Sequence, residues 1–297
     1  MLKKIAAVLL ILALLCTGCA SQTYKANVEK YDWFVDYLGL PEIWNNSITG
    51  KEVMVAVIDS GIDYNLLGEE FDSSRILAEF NAIDNSDDVI DDTYHGSAMV
   101  NLIGAFGNNN LFGIAPDCKF VIIKALDSLG STTSAILEKA IKFAVAFGVD
   151  VINLSIGGAN ENEGIIEAIQ LAIDANIVVI CSAGDYEREG AIFPAKLDHC
   201  LGVAAIDCTG KLYSKSNFGV GIDAYFPGVK IKTTRYDYAG DVIYTERSGS
   251  SVATAIASGM VALYIGAVER YTVDEVYSIF KKTNCENLKS ILMENKL

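Results

Sequence analysis

SGSSVATAIASG, residues 248–259, consists almost wholly of small side chains, with a Gly-Ser step ahead of Ser251 and a helix-compatible run behind it. Two readings fit. Small residues at helical spacing let a helix pack closely against its neighbours, and a Ser at such a helix start can also be held for nucleophilic attack. The segment alone does not separate them, so the rest of the chain has to.

From about Lys51 onward, short apolar runs alternate with amphipathic stretches. VMVAVID (53–59), KFVIIKAL (119–126), DVINLSI (150–156), NIVVICSAG (176–184) and LGVAAID (201–207) are apolar at both parities. That pattern suits strands buried on both faces of a parallel sheet. Between them, helical periodicity runs over 96–106, 133–147, 163–175 and 254–267. Thr133 is placed to cap the second of these helices, ahead of an Ile136, Leu137, Ala140, Ile141, Ala144 stripe. The rhythm predicts an α/β fold: a three-layer, doubly wound sandwich around a mostly parallel central sheet. No linker, repeat or low-complexity segment divides it, so one domain over 38–297 is expected.

Ligands of such sheets sit at the carboxyl ends of the strands, which directs attention to the polar residues there. VMVAVI closes on Asp59-Ser60-Gly61, and NIVVIC closes on Ser182-Ala183-Gly184-Asp185. An Asp before Gly is ordinary turn chemistry when it stands alone. Of the two histidines, His95 lies in DDTYHGSAMV at a helix entrance, while His199 lies in KLDHC outside any pattern and is expected to be structural. An acid at a strand end, a His opening one helix and a Ser opening another follow in the order Asp, His, Ser, one of the chain orders in which catalytic triads occur.

The surrounding residues make this specific. VAVIDSGID around Asp59, HGSAMV around His95 and GSSVATAIASG around Ser251 resemble the three signatures of the subtilisin-like serine peptidases. VINLSIGG (151–158) resembles that family's substrate-binding strand and SAGD (182–185) its oxyanion-hole segment. FPAK (193–196), SNFG (216–219) and AYFPG (224–228) resemble further framework stretches, so the similarity spans roughly 38–282. The resemblance implies a subtilisin-like fold with Ser251 as nucleophile, His95 as general base and acid, and Asp59 as the carboxylate that orients the imidazole. It also implies that an extended peptide pairs with Ser155, Ile156 and Gly157, with Ser182, Ala183 and Gly184 lining the primary pocket. Small residues there admit a large side chain, and Glu187 and Glu189 leave a basic one open.

Three departures stand out. Asp185 occupies the position where the family usually places an oxyanion-hole Asn, and an ionised carboxylate has no proton to donate. Asp185 is therefore expected to be neutral or turned aside in an active enzyme. Ala255-Ile256 and Ser97-Ala98 replace the usual Pro-His and Thr-His after the nucleophile and the catalytic His, both peripheral to proton transfer. GNNNLFG (107–113) resembles a shortened form of a calcium loop, so no cofactor is required and calcium binding stays open.

The N-terminus reads as an export signal: Lys3 and Lys4, an apolar run over 5–16 too short to span a bilayer comfortably, then small residues. LCTGC (15–19) resembles a bacterial lipobox, which implies cleavage after residue 18 and lipidation of Cys19; an ordinary cleaved signal leaving Cys19 free is the alternative. Residues 19–37 then form a tether and N-terminal arm, packed on the domain by Trp33, Phe34, Tyr37 and Trp44. The stretch is too short for the large inhibitory propeptide of many secreted relatives. Seven cysteines without CxxC or Cys/His spacing argue for buried thiols over a disulfide or metal framework.

A net charge of −15 excludes a nucleic-acid binder, because no basic patch is available to neutralise phosphates. The sequence thus points to a monomeric serine endopeptidase, lipid-anchored on the extracytoplasmic face of a bacterial membrane, that acts on proteins or peptides and is suited to peptide processing. The alternative is a degenerate homologue that binds peptide with little cleavage because of Asp185.

Overall fold

The computed structural model describes residues 32–67, 71–105, 111–282 and 285–294. The proposed signal and Cys19, and most of the candidate calcium loop at 107–113, lie outside the described residues.

Seven strands form one parallel sheet: β1 (Met54–Asp59), β2 (Ile76–Asn81), β3 (Lys119–Lys124), β4 (Val151–Leu154), β5 (Val178–Ser182), β6 (Cys200–Ile206) and β7 (Ala224–Pro227), in the order β2-β3-β1-β4-β5-β6-β7. The apolar runs read from the sequence form β1, β3, β4, β5 and β6. Successive residues divide between two cores. Val55, Val57, Phe120, Ile122, Val178 and Ile180 join the cluster that includes α3 (His95–Gly104) and α6 (Ser250–Ala267). Ala56, Ile58, Val121, Ile123, Val179 and Cys181 pack on the opposite face with α4 (Ser134–Phe147) and α5 (Glu163–Asp174). Alternation of period two places every second side chain on each face, which is why both parities are apolar. The result is a helix–sheet–helix sandwich.

From β1 the chain goes to the edge strand β2, returns inward to β3, and then crosses β1 to run outward through β4, β5, β6 and β7, so β1 lies where the two runs of strands meet. A crevice at that switch point is where such sheets bind ligands, and Asp59 is the last residue of β1.

Local signals account for two of the helix starts. Thr133 accepts from the Ile136 amide at 3.3 Å, and Asn162 caps α5 through the Ile165 amide at 3.2 Å. The helix expected from Thr254 begins four residues earlier, at Ser250, and so places Ser251 inside its first turn. Its N-cap Gly249 offers no side-chain acceptor; Asp185, from the loop after β5, supplies one instead. That cap comes from the fold, so a local reading misses it. Although α6 is apolar and long enough to cross a membrane, it is buried inside the domain as a core helix.

The short helices α1 (Trp33–Tyr37) and α2 (Leu40–Asn45) bury Phe34, Val35, Leu40 and Ile43 in the main core. Trp33 Nε1 donates to the Val229 carbonyl at 3.1 Å, and Trp44 Nε1 to that of Ile114 at 2.9 Å. The packed unit therefore begins ahead of residue 38.

Elements not anticipated from the pattern are polar or lie at an edge. They are β2, β7 and an antiparallel hairpin of β8 (Ile231–Tyr236) and β9 (Val242–Arg247). Helices α7 (Val273–Lys282) and α8 (Cys285–Glu294) complete the chain, and the His199 ring pairs with Asp274 at 3.4 Å, outside the cleft.

Candidate active site

The carboxyl ends of β1, β4 and β5 and the amino ends of α3 and α6 converge on a cleft of about 640 Å³. His95, Ser155, Ile156, Gly157, Ser182, Gly184, Asp185, Arg247 and Ser251 all line it.

Asp59 is fully buried, and its Oδ1 lies 2.8 Å from His95 Nδ1. The same oxygen accepts from the Ser60 amide at 2.8 Å and faces the Ser60 hydroxyl at 3.2 Å. This contact fixes the ring orientation and favours the tautomer whose Nε2 is free to accept a proton. Burial pulls the imidazole towards neutrality, but the charge and hydrogen bond of Asp59 outweigh it. With Asp91 adding and Arg247 opposing, the net pKa is raised above the ordinary histidine value.

A second buried carboxylate, Asp91, organises the residues around this pair. It accepts from the Ser60 hydroxyl at 2.7 Å, the Tyr94 amide at 2.9 Å, and the Ser97 amide and hydroxyl at 2.8 and 2.7 Å. The Gly96 amide donates to Ser60 Oγ at 2.9 Å. Asp91 thus holds the first turn of α3 against the end of β1, setting His95 opposite Asp59. Close approach demands glycine on both sides: a Cβ on Gly96 would stand 2.2 Å from the Gly61 carbonyl. Behind them the Lys124 ammonium is tied to the Ser60 and Ile90 carbonyls at 2.8 and 2.7 Å and to Asp92 at 2.8 Å. The local sequence pattern does not by itself single out Asp91. An acidic residue four positions before His95, at a helix entrance, is the signal that was there to use.

Ser251 sits in the first turn of α6, where backbone N–H groups lack intrahelical acceptors. Its hydroxyl donates to the Ser155 carbonyl at 3.1 Å, and no hydrogen bond joins it to His95 among the described residues. Ser155 Oγ in turn donates to the Ser251 carbonyl at 3.1 Å, and Asn153 and Ser258 extend this network into the core. To give its proton to the imidazole, the Ser251 hydroxyl has to exchange the Ser155 carbonyl for a bond to His95. Such bonds are often formed only once substrate is bound.

Asp185 faces the same helix end. Both of its oxygens accept from the Ser250 amide at 2.9 Å, and the Ser250 hydroxyl donates to Oδ2 at 3.0 Å. Although the side chain opens on the cleft, the surrounding protein desolvates it enough to raise its pKa, against the opposing effect of these hydrogen bonds and of Lys215. It engages the helix N-terminus as an acceptor. The N–H of Ser251 has no acceptor among the described residues and is left as a donor to the cleft.

Ser155, Ile156 and Gly157 form one wall of the cleft, beside the bridge between Gly158 and Phe193. Ser182 and Gly184 also line it, but Ala183 does not. Ala183 is fully buried, its amide bonded to the Val203 carbonyl and its carbonyl accepting from the Ile192 amide. Period-two alternation turns its side chain from the pocket. The residues found there instead are Ile192, Tyr186 and a far wall over 126–130. Glu187 and Glu189 are not among the lining residues. No group of three or more His, Cys, Asp or Glu side chains suited to a metal ion occurs among the described residues. Cys118, Cys181 and Cys200 are buried free thiols.

The model of the subtilase family matches residues 50–296. The chain belongs to the subtilase family. It is 28% identical, over 86% of its length, to a thermostable alkaline protease of Halalkalibacterium halodurans, of which it spans 68%. It is 32% identical over 72% of its length to a thermophilic serine proteinase of a Bacillus species, and spans 52% of that protein. A solved protease from Pseudoalteromonas arctica superimposes with a TM-score of 0.76 at 25% identity, over 86% of this chain and 91% of that one. As a subtilase it is a serine-type endopeptidase of three-layer α/β architecture.

Proposed function

We propose that this subtilase cleaves peptides or proteins outside the cell while tethered to the membrane through Cys19, and that Asp59, His95 and Ser251 carry the reaction. The single observation behind the catalytic assignment is the buried 2.8 Å contact between Asp59 and His95 in a cleft that Ser251 shares. Ser251 Oγ attacks the substrate carbonyl carbon as its proton passes to His95 Nε2. The tetrahedral oxyanion accepts from the Ser251 amide. Collapse breaks the C–N bond, and His95 gives the proton to the leaving amine. Water then attacks the acyl-enzyme by the same route and releases Ser251. Asp59 stays ionised throughout and stabilises the imidazolium. The tether rests on the lipobox-like LCTGC, and a tethered enzyme of modest turnover suits processing of peptide precursors at the membrane.

A second reading is favoured by Asp185, whose carboxylate is engaged by Ser250 and provides no oxyanion donor. On that reading the cleft binds peptide and cleaves it poorly. Labelling of the detergent-solubilised full chain with a fluorophosphonate, across about pH 5 to 9 where a histidine base titrates, separates the two. Covalent labelling that vanishes in Ser251→Ala supports the peptidase, and none from a folded protein supports the peptide binder. Retention in the membrane fraction that is lost in Cys19→Ser tests the anchor.

A further inference from the structure

Arg247 has no counterpart in the mechanism above, yet it lines the same cleft. It is the last residue of β9, four positions ahead of Ser251, and its Nη2 donates to the Tyr94 carbonyl at 3.1 Å. Tyr94 directly precedes His95, so this bond seats the guanidinium on the histidine side of the cleft. No carboxylate reaches ion-pair distance of Arg247 among the described residues, and its Nε is buried without a partner. Asp59 and Asp91 act on it only through longer-range charge, and Arg235 repels it. On a chain of net charge −15, an unpaired cation inside the cleft is the exception. Arg247 is the one permanently cationic side chain among the lining residues, and Asp185 the one acid.

We infer that Arg247 is a specificity residue that binds a carboxylate on the leaving half of the substrate. The inference rests on the peptidase reading. Direction follows from the chemistry: the acyl half pairs along Ser155–Gly157, whereas the leaving nitrogen must come to His95 to be protonated. Chain beyond the scissile bond therefore passes the side where Arg247 is fixed. A planar guanidinium with one donor already spent on Tyr94 keeps a free edge that matches a carboxylate, which a neutral amide satisfies less well and an ammonium opposes. The carboxylate can be an Asp or Glu side chain one or two residues after the cut, or the free C-terminus of a short leaving fragment.

Digestion of a random-sequence peptide library by the full chain tests this, with cut sites read by mass spectrometry. One library is amidated at the C-terminus, and another carries free C-termini. In the amidated library, Asp and Glu are expected on the order of tenfold above Gln and Asn in the two positions after the cut, with Lys and Arg depleted. Arg247→Gln should abolish the enrichment, and Arg247→Lys should restore part of it. Enrichment confined to free C-termini, independent of residue type, assigns the terminal carboxylate as the ligand instead. The wild-type profile stands without any variant: no acidic enrichment in either library overturns the inference, as does enrichment unchanged in Arg247→Gln. Cleavage of nothing, with Ser251 unlabelled, fails the peptidase reading itself and is told apart by that labelling.

Discussion

The Ser250 amide donates to both carboxylate oxygens of Asp185, at 2.9 Å each. Asp185, which by resemblance stands where the family places an oxyanion-hole Asn, thereby caps the helix that carries Ser251. A carboxylate there is favoured by the positive end of the helix dipole. If the cleft cleaves peptides as proposed, an ionised carboxylate there is costly, because it has no proton to donate to the oxyanion and repels its developing charge.

Asp185→Asn should therefore trade stability for rate. Turnover on a peptide substrate is expected to rise on the order of 10²–10³, the magnitude known for this donor in a subtilisin. Loss of the charge at the helix end should cost about 0.3–1 kcal/mol in a melting experiment. The gain should widen as pH rises, because the wild-type carboxyl, with its raised pKa, can still donate while protonated and becomes repulsive once ionised. Unchanged or lower turnover in Asp185→Asn would show that the oxyanion never meets this side chain.

The acid limb of the pH–rate profile should lie above the ordinary histidine value, since His95 must be neutral to act as base and Asp59 holds its pKa up. Asp59→Asn removes that charge and leaves burial and Arg247, both of which favour the neutral ring, opposed only by the smaller effect of Asp91. The limb should then move to lower pH while turnover falls about 10⁴-fold. A profile of kcat/KM against pH for both proteins checks the sign. A limb that stays in place would mean that another group controls it.

Asp91→Ala should destabilise by about 3–5 kcal/mol, as expected for a buried charged hub whose partners are stranded. The Tyr94 and Ser97 amides and the Ser60 hydroxyl all lose an acceptor away from water. Urea denaturation measures the change, and a loss below about 1 kcal/mol would show that these groups find other partners.

Gly157→Ala should reshape the primary pocket with little cost in stability. The added methyl would stand 2.3 Å from Ile192 Cδ1, the flexible end of a side chain, and 3.0 Å from the Phe193 carbonyl. Ile192 Cγ1 would stand only 2.8 Å away as well, so Ile192, which lines the cleft, has to move. kcat/KM for substrates with a bulky residue before the cut should fall about 10- to 100-fold, more than for small ones. Equal losses for both would place Ile192 outside the specificity pocket.

Much of this was legible in the chain itself. The strands whose two parities are both apolar, β1 and β3 to β6, announced a doubly covered parallel sheet. Asp59, His95 and Ser251 each stood in a distinctive local frame. Less legible were β2 and the β8–β9 hairpin, whose half-polar patterns resemble loops until a neighbour supplies hydrogen bonds. Ala183 was assigned to the pocket with its neighbours, although alternation along the strand turns it inward.

The sequence by itself determined the layering and nominated the candidate reacting groups, because burial of alternating apolar faces and turn chemistry at strand ends are local properties. Tertiary structure alone decided what surrounds those groups. Asp185 reaches α6 across 65 residues, Ser60 meets Asp91 across 31, and Arg247 meets Tyr94 across 153. Each contact joins segments far apart in the chain that strand order and the packing of the hairpin and α6 bring together around the cleft. A side chain's charge is written in the sequence, but which partner cancels it, or leaves it free for substrate, depends on that order.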